Sequence, residues 1–252
     1  MVAVRATIGG GLNDIVRITG TRGAPAGINT VVFDFDDTIA ETLPARVDAM
    51  RRTFLAAGVE SPDAESFVHS QRGIPLQVSL DNFDGGRGKE LGLLEAYRKA
   101  YWHKELGLLR AFDGVPELVR ALQAHGTRLG ILTSKARDFV VDGRPSGTVV
   151  ELAELGLGHL AEHTIGFEDV SQPKPHPEGL ERLLGWLGAT PDETLVVGDS
   201  VADILTAHNA GCWSCLAGWG VPPDERAFDK VTPDLVAEHP SAVQRLVTGA
   251  IL

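Results

Sequence analysis

Two kinds of apolar pattern alternate along this chain. Short continuous apolar runs at 29–35, 129–133, 194–199 and 213–217 read as strands buried on both faces. Between them, apolar residues recur at helical spacing. Val115, Leu118, Val119 and Leu122 form one stripe, opened by Pro116 and closed by Gly126. Leu180, Leu183, Leu184 and Leu187 form another, and helices are also predicted near 148–155, 202–210 and 241–247. A short strand at 163–166 and an edge strand at 235–237 complete the series. Strands alternating with helices predict an α/β fold with a doubly wound parallel sheet.

The stretch from about 42 to 106 breaks that alternation. It predicts helices at 45–57 (stopped by Gly58), 62–68 and 75–82, a breaker at Asp84-Gly85-Gly86-Arg87-Gly88, and a long helix striped by Leu91, Leu94, Tyr97 and Tyr101. It contains no convincing strand. The expected organisation is an N-terminal extension at 1–28, a core formed by 29–41 and 111–252, and a helical module at 42–110 inserted after the first core strand. Within the extension, 4–8 and 15–18 either pair as a hairpin across Gly9-Gly10-Gly11 and Asn13-Asp14 or form a loose arm.

Composition narrows the function classes. The chain has 252 residues, of which 43% are hydrophobic, which suffices for a packed core. Its 23 basic and 34 acidic residues give a formal net charge of -11, and no Lys/Arg run exceeds two residues. Nucleic-acid binding is disfavoured, because it needs a basic face. No apolar stretch has spanning length and the N-terminus has no secretory apolar run, so no membrane partner and a cytoplasmic location are expected.

The two cysteines, Cys212 and Cys215, sit where a helix gives way to a strand. A redox pair of this spacing opens a helix instead, and alternation sends these two side chains to opposite faces, so buried thiols are the favoured reading. His176 and His208 are isolated and read as surface residues, leaving no zinc cluster.

The candidate chemistry lies where the strands end. In a parallel sheet all strand C-termini share one edge, and ligands bind there. Asp34, Thr133 and Asp199 each follow an apolar strand, and Lys174 can join them from the loop Gln172-Pro173-Lys174-Pro175-His176-Pro177. Extended geometry puts Asp34 and Asp36 on one side. Taken alone, this stretch also suits a solvated Asp-rich turn, and Asp199 and Asp203 also suit helix caps. Together, carboxylates from Asp34, Asp36 and Asp199 make a hard oxygen site suited to Mg²⁺. A lysine and a hydroxyl beside it suit phosphoryl transfer, with one Asp as nucleophile and the other moving the proton.

Four segments carry a family resemblance. They are Phe33-Asp34-Phe35-Asp36-Asp37-Thr38-Ile39, Ile131-Leu132-Thr133-Ser134-Lys135, Pro173-Lys174-Pro175-His176-Pro177 and Val197-Gly198-Asp199-Ser200-Val201-Ala202-Asp203. In order and spacing they resemble the motifs of the haloacid dehalogenase superfamily, over about 29–247. The helical insert, Gly73-Ile74-Pro75 and Gly218-Trp219-Gly220 resemble its phosphoglycolate phosphatase and pyrophosphatase branch. That resemblance implies a Mg²⁺-dependent phosphatase acting on a small phosphorylated metabolite, a phosphoglycolate-like phosphomonoester, through an aspartyl-phosphate. Pyrophosphatase and sugar-phosphate mutase are the alternatives, and a non-catalytic phosphate sensor is disfavoured because Asp34 and Asp36 are both present.

The implied roles are these. Asp34 is nucleophile and metal ligand, and Asp36 is acid/base and lends its main-chain carbonyl to the metal. Thr133, Ser134 and Lys174 hold the phosphoryl group, Asp199 binds metal, and Asp203 supports that shell or the lysine. The insert is implied to be a cap, with Arg72 in its substrate-reading loop. Asp36 argues against a dehalogenase, which lacks an acid there. Lys89, Lys99 and Lys104 offer no context for a phosphonatase Schiff base. Asp37 stands where many relatives have Gly, and the sequence gives it no role.

Overall fold

The computed structural model describes residues 6–8, 15–60, 63–71, 74–104, 107–222 and 231–249. In chain order the elements begin with β1 (Ala6–Ile8), β2 (Val16–Ile18), β3 (Thr30–Phe33) and β4 (Ala40–Glu41). A helical stretch follows, with α1 (Leu43–Ala56), α2 (Ala64–Ser70), α3 (Leu76–Asp81), α4 (Arg87–Glu90) and α5 (Leu93–Trp102). Then come β5 (Arg110–Ala111), α6 (Val115–Ala124), β6 (Arg128–Leu132), β7 (Phe139–Val141), β8 (Arg144–Ser146), α7 (Thr148–Glu154) and β9 (Thr164–Ile165). The chain closes with α8 (Glu178–Leu187), β10 (Thr194–Gly198), α9 (Val201–Asn209), β11 (Trp213–Ala217), β12 (Leu235–Ala237) and α10 (Pro240–Thr248).

The fold is α/β, as the alternation predicts. Eight strands form one sheet in the order β1-β2-β12-β11-β10-β3-β6-β9, and β12 through β9 are all parallel. β3 lies between β10 and β6, and all four of its residues are buried. Its side chains divide between two apolar layers. Val31 and Phe33 join the stripes of α6, α7 and α10 on one face, while Val32 joins Leu180, Leu183 and Leu184 of α8 and Ala207 of α9 on the other. Each fully buried side chain of this kind contributes about 1.5–3 kcal/mol of transfer free energy. Cys215 belongs to the first layer and Cys212 to the second. Both thiols are free, and burial pushes each up to about 12, so they are inert packing groups.

Three features differ from expectation or extend it. The strand at 235–237 is not an edge, because β2 pairs with it antiparallel, and β1 pairs with β2. The hairpin read near the N-terminus therefore extends the central sheet. The segment after β6 holds a hairpin, β7–β8, that helical and strand periodicity missed. Its turn, Asp142-Gly143, has φ of 48° and 77°, the left-handed pair of a tight hairpin turn, and Asp-Gly was the available signal. Finally, β4 and β5 pair as a two-stranded ribbon where the helical stretch leaves and rejoins the core, and Arg110 donates to Glu41 across it.

Helices α1–α5 close around their own apolar cluster. Met50, Phe54, Val68, Leu80, Leu93 and Tyr97 are buried there. Phe54, Phe67 and Phe83 form a ring triangle with centroids 5.2–5.7 Å apart. No helix among the described residues is long and apolar enough to cross a membrane.

The loop after β11 clasps the turn after β3. Trp219 Nε1 donates to the Thr38 carbonyl at 3.0 Å. At Gly220, a Cβ would lie 1.7 Å from the Asp37 carbonyl oxygen, a main-chain atom that cannot swing aside. Gly220→Ala is expected to cost about 1–3 kcal/mol, the range for overpacking. A lowered urea midpoint with unchanged slope would show it; an unchanged midpoint would mean the clasp yields freely.

Candidate active site

Asp34, Thr133 and Asp199 each occupy the first position beyond their strand, β3, β6 and β10. These three strands are adjacent and parallel, so the side chains meet at one sheet edge. The neighbouring strands still hold their backbones. Asp34 N donates to the Val197 carbonyl at 2.9 Å and Thr133 N to the Ile165 carbonyl at 3.0 Å. Lys174 arrives from the loop before α8. Its Nζ donates to Asp34 Oδ1 (2.7 Å), Asp203 Oδ1 (2.5 Å) and the Leu132 carbonyl (3.1 Å).

Asp203 combines two tasks that the sequence left as alternatives. It is the third residue of α9, and its Oδ2 accepts from Ser200 N (3.0 Å) and Ser200 Oγ (2.6 Å), while Ser200 Oγ accepts from Asp203 N (3.3 Å). That reciprocal cap fixes the rotamer, and Oδ1 is left to hold Lys174. A Cβ at Gly198 would meet the Asp203 side chain at 2.4 Å, so only glycine lets α9 start this close to β10.

The charge balance here is negative. Carboxylate oxygens of Asp34, Asp199 and Asp203 lie within 4.8 Å of one another, all three residues are buried, and one ammonium faces them. Burial, reinforced by Asp203 and Asp36, lifts Asp34 to about 7 against the pull of Lys174. Lys174 stays firmly cationic, because Asp203 and Asp34 outweigh the effect of its own burial. A second cation relieves such a cluster. The donors are oxygens alone, a set that fits Mg²⁺. Asp203 is committed to Lys174 and the helix cap, which leaves the carboxylates of Asp34 and Asp199 as the candidate ligands.

The Asp36 carboxylate is not part of that cluster. It lines the same pocket but turns to Lys135, whose Nζ donates to Asp36 Oδ1 at 3.2 Å. Burial works to raise its pKa, yet Lys135 and Arg46 outweigh that and hold Asp36 below the usual carboxylate range. Lys135 also donates to Glu151 Oε2 (2.5 Å) and Tyr101 Oη (2.9 Å). Glu151, on α7, is completely buried and takes a second hydrogen bond from Tyr101 Oη (2.8 Å) and an ion pair from Lys104 (3.2 Å). Sequence reasoning missed this network. Tyr101 read as a core stripe residue, Glu151 as one helical position, and Lys104 as a lysine without context. Lys135, two residues past Thr133, was the only hint.

Asp37 has a structural role. Its φ is 58°, the left-handed region, which Gly adopts freely and Asp tolerates better than most residues. The side chain accepts from Arg46 of α1 and from Thr42 N (3.4 Å). Asp37 thus replaces a backbone-permissive Gly with a carboxylate that anchors α1 and neutralises Arg46, a pocket-lining cation the sequence did not flag.

The remaining candidates divide. Thr133 Oγ1 accepts from Lys135 N at 3.1 Å, leaving its proton to donate into the pocket. Ser134 lines the same pocket, and its buried hydroxyl has no hydrogen-bond partner. Arg72 lies outside the described residues. His176 Nδ1 accepts from Glu178 N at 3.2 Å at the start of α8, and His208 Nε2 lies 2.9 Å from Ser214 Oγ; neither lines the pocket.

The family model for haloacid dehalogenase-like hydrolases matches residues 31–217, which include every residue of the site. The chain belongs to that family. Pyrophosphatase PpaX of Halalkalibacterium halodurans is 32% identical over 214 residues, covering 83% of this chain and 92% of the relative. A predicted phosphoglycolate phosphatase from Haemophilus somnus shares the fold with a TM-score of 0.72 at 22% identity, covering 88% of this chain and 98% of that one. A subfamily IA hydrolase of the superfamily from Geobacter sulfurreducens gives 0.61 at 22% identity, covering 89% and 99%.

Replacing Asp37 by Gly sets two effects against each other. It relieves roughly 1–2 kcal/mol of left-handed backbone cost and leaves Arg46 buried without its carboxylate, at about 3–5 kcal/mol. Asp37→Gly is therefore expected to lower stability by about 1–4 kcal/mol, and Arg46→Leu in the same background to recover part of that loss. Chemical denaturation of the two variants measures both; a stabilised Asp37→Gly would refute the pairing.

Proposed function

We propose that this hydrolase is a Mg²⁺-dependent phosphatase of a small phosphorylated metabolite, working through an aspartyl-phosphate on Asp34. The observation that carries the reading is the Lys174 ammonium held between Asp34 and Asp203, beside the carboxylate of Asp199. Asp34, Asp199 and the Asp36 main-chain carbonyl would hold Mg²⁺, which would supply neutralisation of phosphoryl charge. Lys174 orients the Asp34 carboxylate, and Thr133 and Ser134 donate to phosphoryl oxygens. An Asp34 oxygen forms the bond to phosphorus as the bond to the leaving oxygen breaks. Asp36 supplies the proton to that oxygen and recovers one from the water that then attacks phosphorus, which frees Asp34 and phosphate. The pull of Lys135 and Arg46 on Asp36 favours the proton-accepting half of that cycle.

The helical module of 42–110 is proposed to be a cap over this edge. Its Tyr101 and Lys104 reach Glu151, and its α1 and α5 supply pocket walls, an arrangement suited to excluding water and selecting the leaving group. Pyrophosphate is the second substrate reading, favoured by the name of the relative that is 32% identical.

Purified protein is expected to release phosphate from at least one member of a phosphomonoester panel that includes pyrophosphate. EDTA should abolish the release and added Mg²⁺ restore it. Asp34→Asn should lower turnover by about 10⁴-fold or more. Silence across the panel, or full turnover by Asp34→Asn, would refute the proposal.

A further inference from the structure

The pocket that holds the phosphoryl end continues well beyond it. The same cavity that contains Asp34, Thr133, Lys174 and Asp199 is also lined by Met50, Phe67, Leu94, Trp102, Phe139 and Phe167. From this wall we infer that the substrate is a phosphomonoester whose leaving group is a flat, largely apolar body, rather than a second phosphate or a short carboxylate. This inference rests on the phosphatase reading above.

The cations of the pocket are the first support. A second phosphate or a carboxylate taken out of water needs positive charge to meet it. Arg46 lines the pocket but is paired with Asp37. Lys135 lines it too, and is shared between Asp36 and Glu151. Lys174 belongs to the phosphoryl end. Arg98 places its guanidinium 5.1 Å from the ring centre of Phe139, flat surface that extends an aromatic wall. Among the described residues, three of the four cationic side chains lining the pocket are thus paired with carboxylates, and the fourth, Arg98, keeps its charge against the Phe139 ring.

The construction of the wall is the second support. Phe139 belongs to the β7–β8 hairpin, which stands outside the main sheet and packs on α5. Its ring meets Trp102 edge-on at 5.6 Å, and Trp102 meets Tyr101 edge-on at 5.2 Å. Asp142, at the hairpin tip, is held by Lys99 (3.3 Å) and His103 (3.2 Å). The hairpin therefore carries one aromatic ring to the pocket and is pinned so that the ring stays there. A preorganised aromatic slot binds a flat apolar group with little ordering cost.

The test compares two alkyl esters of matched intrinsic reactivity and sets phosphoglycolate and the anhydride pyrophosphate beside them. With Mg²⁺ present, kcat/KM is measured for 3-phenylpropyl phosphate, propyl phosphate, phosphoglycolate and pyrophosphate. The expected order puts 3-phenylpropyl phosphate about tenfold or more above each of the others, the scale of hydrophobic-pocket discrimination. Phe139→Ala should raise KM for the phenylpropyl ester about tenfold with kcat within a factor of about two, and Phe139→Tyr should restore it, a split that general loosening of the fold does not produce. Preference for pyrophosphate or phosphoglycolate, or equal losses by Phe139→Ala on propyl and phenylpropyl esters, would overturn this inference and leave the phosphatase reading standing. Silence toward all four and toward the wider panel would overturn both.

Discussion

The structure turns on one buried ammonium between two carboxylates. Lys174 Nζ, with its residue only 9% exposed, is shared by Asp34 and Asp203. Such a group persists only if every neighbour is fixed, because breaking a buried ion pair costs several kcal/mol. The fold meets that condition in layers. β3, buried on both faces, fixes Asp34; the reciprocal cap at Ser200 fixes Asp203; and the Leu132 carbonyl at the end of β6 fixes the third direction of the ammonium. The surplus negative charge, with Asp199 close by, makes this a buried acidic cluster suited to a further cation rather than a settled salt bridge.

Around that centre lies a second ring of compensated charge. Asp37 with Arg46, and Asp36 with Lys135 and Glu151, bind the helical module to the core through α1 and α5. Each pair neutralises a cation that lines the pocket. The same ion pairs that join the two parts therefore leave Arg98 as the pocket-lining cation set against a ring rather than a carboxylate, among the described residues. Changes at Glu151 or Asp37 therefore act on the contact between helical module and core.

The parts legible in the sequence follow from local periodicity plus topology. Once the strand runs at 29–35, 129–133 and 194–199 are read as parallel, the meeting of Asp34, Thr133 and Asp199 follows without further information, and it is what the structure has. The helical stripes of α6 and α8 were legible for the same reason. What was hidden depends on long-range pairing. Nothing local tells that β2 covers β12, since antiparallel addition at a sheet edge joins residues more than two hundred positions apart. Glu151 shows no signal because a buried carboxylate and a solvated one look alike until Tyr101, Lys104 and Lys135 converge on it. Asp37 was visible as an anomaly, and only its backbone angle explains it. The Asp142-Gly143 turn carries a readable signal in its turn chemistry, while its flanking strands of three residues are too short to show a period.

The most direct test of the central claim is a crystal structure grown with Mg²⁺ and beryllofluoride, a mimic of a carboxylate-bound phosphoryl group. The account predicts beryllofluoride bonded to an Asp34 carboxylate oxygen, Mg²⁺ touching Asp34 and Asp199, Lys174 still between Asp34 and Asp203, and Thr133 and Ser134 on the fluorines. Beryllofluoride bonded to Asp36 or Asp199, or Mg²⁺ bound elsewhere with Asp34 bare, would contradict it.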